Sequence, residues 1–287
     1  MPQAAVLAAA DGRGTERGSN FFLGFLFLPR RKREALAAVY AFCRAVDDIS
    51  DSGTLSREEA EKAFEAWRRE IARLMDGDPE TPLGRRLLGP VREFSLPGEP
   101  FLDVIRGCAM DLGPARFKDF SELEHYMDGV AGAVGELGMC IFGCERTPRE
   151  KQKEFAILFG RAFQLTNIIR DVGTDLEMGR VYIPDAEMAE AGYSRESLAR
   201  REHSQAFDRL MNALYNRARL LYRRARSLVD FRDRPRLLSA EIMAHVYEAT
   251  LEKIRREGFP VLFERVRLSR IEKARAAVRA WLYCRGL

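Results

Sequence analysis

The sequence predicts an all-α protein, a bundle of helices, and three observations predict it. Apolar residues recur at helical spacing along almost the whole chain, and no sustained alternation of period two interrupts them. Pro29, Pro79, Pro97, Pro114, Pro148, Pro184, Pro235 and Pro260 fall at the joints of these runs instead of inside them. No Gly/Ser linker, low-complexity tract or repeat separates one run from the next, so residues 18–287 read as one helical domain behind a flexible N-terminal segment, 1–17.

Pro29 opens the first helix, expected over 30–51. "SREE" (56–59) has the Ser and Glu of a capping box and starts the second, 56–75. Pro79 and Pro97 mark the joints before helices at 82–94 and 99–111, and Pro114 the joint before 119–143. Pro148 precedes 149–177, and Pro184 lies in the connection to 194–228. Pro235 and Pro260 precede the last two, 236–257 and 270–283.

Composition narrows the function classes. The 287 residues are 46% hydrophobic and 31% charged, enough apolar side chain for a sizeable core. A net charge of +4 is too small to argue for a nucleic-acid partner, and "RRKRE" (30–34) and "LYRRARS" (221–227) are spaced like solvated helix faces. Five cysteines (Cys43, Cys108, Cys140, Cys144, Cys284) without CxxC pairing, beside three histidines, speak against structural zinc and against a disulfide framework. That usage suits a reducing cytoplasm. The N-terminus is not read as a signal peptide, and "FFLGFLFL" (21–28) is far shorter than the ~20 residues that span a bilayer.

Two acidic clusters carry the chemistry. On the opening helix, which carries "AVYAFCRAVDDISDSG" (38–53), Leu36, Tyr40, Cys43, Asp47 and Asp51 stand on one side, so the carboxylates extend its apolar packing stripe. Carboxylates at the end of a helix oppose its dipole. Taken alone, the cluster also fits a solvated helix end. Carboxylate oxygens one turn apart are donors for a hard cation such as Mg²⁺, which commonly holds substrate phosphates as well.

The second cluster lies in "GRAFQLTNIIRDVGTDLEMGRVYIP" (160–184). Gln164, Asn167, Asp171 and Asp175 form a polar stripe among Phe163, Leu165, Ile168, Ile169 and Val172. A polar stripe in such surroundings is costly unless its groups find partners. Two acidic stripes on two helices suggest a cavity that holds a diphosphate through bridging Mg²⁺, the ion offsetting both dipole and repulsion. Buried structural polar groups remain the alternative.

The segments "SNFFLGFLFLP", "YAFCRAVDDISD", "GVAGAVGELG" and "QLTNIIRDVGTDLEMGRVYIP" resemble the squalene/phytoene synthase family, in order, over about residues 18 to 275. The resemblance implies an isoprenoid-synthase-type bundle round a central cavity and head-to-head joining of two prenyl diphosphates. It implies that Asp47 and Asp51, with Asn167, Asp171 and Asp175, hold Mg²⁺ (Mn²⁺ as the substitute ion). Tyr40, Arg44, Arg170 and Tyr247 take catalytic places, and Gln164, Asn167, Arg180 and Tyr182 bind substrate. Phe21 and Phe25 fall on the cavity wall.

Within the family, phytoene and dehydrosqualene synthases commonly carry a tyrosine just before GVAG, where this chain has Asp128. The acid looks more like bacterial presqualene diphosphate synthases of the hopanoid pathway. Farnesyl diphosphate is then the favoured substrate and NADPH is not expected. Phytoene, dehydrosqualene and NADPH-dependent squalene synthases are the alternatives. The expected location is cytoplasmic, with peripheral contact to the inner face of a membrane as a further expectation because substrate and product are lipophilic. Oligomeric state stays open.

Overall fold

The computed structural model describes Gly24 and residues 27–51, 55–113 and 115–287. Phe21, Phe25 and the segment 1–17 lie outside the described residues. Helix α1 (Arg30–Asp51) buries Leu36, Val39, Phe42, Val46 and Ile49, a stripe with spacings of three and four. The Phe42 ring meets the edges of Trp67 on α2 (Arg57–Asp76) and Phe101 on α4 (Gly98–Met110), with centroids 5.3 and 5.2 Å apart. Such edge contacts contribute about 0.5–1.5 kcal/mol each beyond the burial itself. The capping box at Ser56 and Glu59 starts α2 as its sequence predicts. Helix α3 (Pro82–Phe94) begins at Thr81, whose amide and hydroxyl both donate to the buried Glu70 carboxylate at 2.8 Å.

The single helix expected over 119–143 is broken in three. Helices α5 (Phe120–Met127) and α6 (Ala133–Phe142) flank a π-helical turn, Asp128–Gly132. The reason is backbone-to-backbone packing on both sides of the turn. A Cβ on Gly107 of α4 would stand 2.8 Å from the Val130 nitrogen, and one on Gly160 would stand 2.6 Å from the Ala131 carbonyl carbon. Gly160 belongs to α7 (Arg149–Glu177), the 29-residue spine of the molecule, which runs against α6 and α10 (Gln205–Leu228).

The helix expected over 194–228 is also interrupted. A short α9 (Arg195–Ala199) ends where Arg201 takes a φ of 53°, and the Ser204 side chain then caps α10. Helix α8 (Asp185–Glu190) follows Pro184 and was not legible as a helix in the sequence. Pro235 sits inside a 3₁₀ turn, Phe231–Leu237, that leads into α11 (Leu238–Arg256). Another 3₁₀ turn, Pro260–Leu262, precedes α12 (Arg270–Cys284). Half-buried Arg226 of α10 clamps α11 through Glu241 and Glu248 at 2.9 and 2.7 Å. No strand occurs among the described residues.

Candidate active site

Helices α1 and α7 face each other across a cavity of ≈ 330 Å³, with α4, Tyr126 of α5, α6, the π turn and α11 completing its wall. Both helices run from the greasy end toward the polar one. On α1 the lining passes from Leu36 through Tyr40 and Arg44 to Asp47, and on α7 from Phe155 and Phe159 to Gln164 and Asn167. The span is 11 to 12 residues, or about 17 Å of helix at 1.5 Å per residue. Tyr247 of α11 closes the polar end, its ring 4.9 Å from that of Phe163.

At that end Arg44 donates to Asp47 and Asp48 at 2.9 and 2.7 Å. Asp47 is pushed up to about 7, first by burial and then by the charge of Asp51, with Arg44 pulling the other way. Asp51 does not line the cavity. It is exposed, and Arg180, just beyond α7, donates to it at 2.6 Å and to the Ser50 carbonyl at 3.0 Å. This bond links the two acidic helices across the mouth.

On α7 the Asn167 side-chain Nδ2 donates to the Gln164 side-chain Oε1 at 3.2 Å, while the Asn167 Oδ1 is buried without a hydrogen-bond partner. One turn on, Asp171 lies between two guanidiniums, Arg170 at 2.9 Å and Arg265 at 2.7 Å. Asp175 is pushed up to about 7 by burial and by Asp171, against Arg180, Arg170 and Arg265. Arginines thus offset part of the repulsion among these acids, and the raised Asp47 and Asp175 show that the rest persists. Tyr247 sits beside Asn167 and Arg170, whose charge opposes the upward push that burial gives its phenol.

Tyr182 lies behind the mouth, outside the cavity lining. Its hydroxyl and that of Tyr126 donate to opposite oxygens of Asp111 at 2.9 and 3.0 Å, and the two rings stack 5.3 Å apart. Burial pushes Asp111 up, against the pull of both hydroxyls. Asp128 likewise is not among the residues lining the cavity, and Arg161 grips it through bonds of 2.5 and 2.7 Å. Six of the sequence-derived residues therefore line the cavity (Tyr40, Arg44, Asp47, Gln164, Asn167 and Tyr247), and Asp51, Arg170, Asp171, Asp175 and Arg180 ring its mouth. Sequence reasoning missed Arg265 and Asp111. Arg265 is one of several arginines in "FERVRLSR" with no spacing to single it out, and Asp111 is a lone acid at a helix end.

The donors at the mouth suit Mg²⁺. Carboxylate and amide oxygens are its preferred protein ligands, and the orphaned Oδ1 of Asn167 is a buried acceptor awaiting a cation or donor. Among the described residues no three His, Cys, Asp or Glu side chains already converge as a metal cluster. Mg²⁺ commonly takes only one or two carboxylates and completes its shell with water and phosphate oxygens.

Helices wrapped round a greasy cavity with acid-bearing helices at its mouth define the isoprenoid-synthase class of fold. The squalene/phytoene synthase profile matches residues 15–272, and the chain belongs to that family. It is 36% identical over 263 residues to a presqualene diphosphate synthase of Zymomonas mobilis, covering 90% of this chain and 89% of that one. It is 34% identical over 272 residues to a presqualene diphosphate synthase of Sinorhizobium fredii, covering 94% and 96%. Among solved structures, a dehydrosqualene synthase in complex with ligand superposes with a TM-score of 0.84 at 26% identity, over 100% of this chain and 99% of that one. No helix among the described residues is long and apolar enough to cross a membrane.

Proposed function

We propose that the chain joins two molecules of farnesyl diphosphate head to head into presqualene diphosphate, releasing one diphosphate. The observation that carries this reading is the ≈ 330 Å³ cavity whose greasy barrel ends at Tyr40, Arg44, Asp47 and Asn167. The two relatives at 36% and 34% identity support the presqualene outcome.

Mg²⁺ (or Mn²⁺) held by Asp47, Asp51, Asn167, Asp171 and Asp175 would supply the positive charge that makes diphosphate a competent leaving group. Arg44 and Arg170, already at the polar end, donate to its oxygens as negative charge gathers there. The C1–O bond of one substrate breaks and its electron pair leaves with the diphosphate. The resulting allylic C1 joins the C2=C3 double bond of the second molecule and loses one proton as the cyclopropane closes. Carbon, charge and electrons balance without a reductant, so NADPH has no part in this step. The apolar barrel keeps water from the cation, and the faces of Phe163 and Tyr247 stabilise it. Prenyl tails on substrate and product support a peripheral seat on a membrane.

The test is product analysis by mass spectrometry after incubation with farnesyl diphosphate and Mg²⁺. Presqualene diphosphate is the expected product. A C40 product from geranylgeranyl diphosphate, or squalene formed only with NADPH, would replace this reading with the phytoene or squalene alternative.

A further inference from the structure

Helix α12 packs on α11 with a stripe of small side chains, Ala276, Ala280 and Cys284. Its opposite face is unlike the rest of the surface. Ile271, Ala274, Val278 and Trp281 recur there at three, four and three residues, and Ile271, Val278 and Trp281 are 66%, 58% and 41% exposed. At 100° per residue Arg270 borders one side of this stripe, and Arg275 and Arg279 the other. Arg285 follows with its guanidinium 4.6 Å over the Trp281 ring. Among the described residues none of these four exposed arginines has an ion-pair partner, and the only acid on the helix, Glu272, is engaged in the capping box with Ser269. Scattered apolar residues on a surface need no explanation, but a continuous stripe rimmed by unpaired cations does.

We propose that the outward face of α12 docks on an anionic lipid surface, Ile271, Val278 and Trp281 entering the acyl boundary and the arginine rim meeting phosphate headgroups. The charge fits: a rim of cations that makes no ion pair among the described residues is complementary to anionic lipid and not to a second copy of itself, which would bring like charges together. Trp281 suits the interface, with an apolar body and an N–H to turn to the headgroups. Position fits as well. Ile271 lies six residues beyond Arg265, which is bonded to Asp171 at the cavity mouth, so the two are at most about 20 Å apart. A prenyl tail leaving the lipid would have a short path to the cavity. The inference deepens the peripheral seat proposed above by naming the face that makes it.

The test is co-sedimentation of the full chain with phosphatidylcholine vesicles, with and without phosphatidylglycerol, at low and high salt. The expected result is binding to the anionic vesicles alone, weakened by salt. It should fall about tenfold or more in Val278→Ser/Trp281→Ser and in Arg275→Gln/Arg279→Gln. These side chains lie outside the catalytic machinery, so turnover in detergent should match the parent chain and show that the variants fold. Anionic binding that both variants retain would overturn the assignment to α12 and leave the peripheral seat standing. No binding of the parent chain to either vesicle would overturn both. A solution dimer that the Val278/Trp281 variant dissociates would instead assign the face to a second copy. Loss of presqualene formation by the parent chain would bear on the reaction and not on the docking face.

Discussion

Arg180 donates to Asp51 across the mouth of the cavity at 2.6 Å, although 129 residues separate them. The same residue's amide donates to the Asp175 carbonyl at 2.8 Å, so one arginine is anchored to the second acidic helix and pairs with the first. The two acidic clusters therefore form one site at the level of a single side chain.

Removing that side chain should disable the site more than it weakens the fold. Asp51 is exposed, and pairs with one exposed partner contribute no more than about 1 kcal/mol. Arg180→Ala should lower kcat/KM by about tenfold to a hundredfold, as expected of a charge aimed at a diphosphate, while the melting temperature moves by only a few degrees. Arg180→Lys should recover part of the loss. An unchanged kcat/KM in the alanine variant would show that the arginine only braces the two helices.

The acids themselves should be indispensable to turnover. Asp47→Asn and Asp171→Asn each remove a candidate Mg²⁺ ligand without changing side-chain volume, and each should reduce turnover about a thousandfold or more. Circular dichroism should report the parent helix content in both. Comparable turnover in either variant would remove that residue from the metal site.

Protonation offers an independent reading of the same groups. Burial first, and Asp171 second, push Asp175 from 3.8 to about 7. The folded state therefore holds this proton where the unfolded chain has released it, and the contribution of Asp175 to stability falls as pH rises from 3.8 to about 7. In magnesium-free buffer, Asp175→Asn should melt above the parent chain at about pH 8 and close to it near pH 3, below the 3.8 of the unfolded chain, where the parent Asp175 is largely protonated in both states. Mg²⁺ added together with pyrophosphate should raise the parent's melting temperature at the higher pH more than the variant's. A variant that melts below the parent at about pH 8 would contradict the unfavourable burial of that charge.

The π turn makes a prediction about packing. Gly160→Ala would place a methyl group 2.6 Å from the Ala131 carbonyl carbon, where backbone must yield. The expected cost is more than about 2 kcal/mol in chemical denaturation, since overpacking a rigid contact costs about 1–3 kcal/mol. Gly89, around which no atom lies within 4 Å, is the control: Gly89→Ala should be neutral or stabilising.

Much of the architecture was readable because helix periodicity and proline placement are local signals. The bounds of α1 and α7, 30–51 and 149–177, coincide with those the sequence predicts. The breaks were not readable, because they have tertiary causes. Asp128–Gly132 widens into a π turn where Gly107 and Gly160 bring two other helices against it, and Arg201 turns the chain between α9 and α10 in a conformation that few side chains adopt. The site divides in the same way. Asp47 and Asn167 stand on stripes whose spacing is visible in the sequence, and both line the cavity. Arg265 reaches Asp171 from 94 residues away, and Asp111 is defined by two tyrosines from separate segments, so no local pattern could have marked either.

The guanidiniums around the mouth have a consequence for the order in which guests arrive. Arg44, Arg170, Arg180 and Arg265 each occupy a carboxylate that an incoming cation would want. A lone magnesium ion must evict a tenant and strand its positive charge, which disfavours entry. An arriving pyrophosphate gives the evicted arginine a new anion to hold, and the exchange becomes favourable for both. Ion and lipid phosphate should then be admitted together, each tightening the grip on the other, and stray divalent ions should find the door already held shut from within.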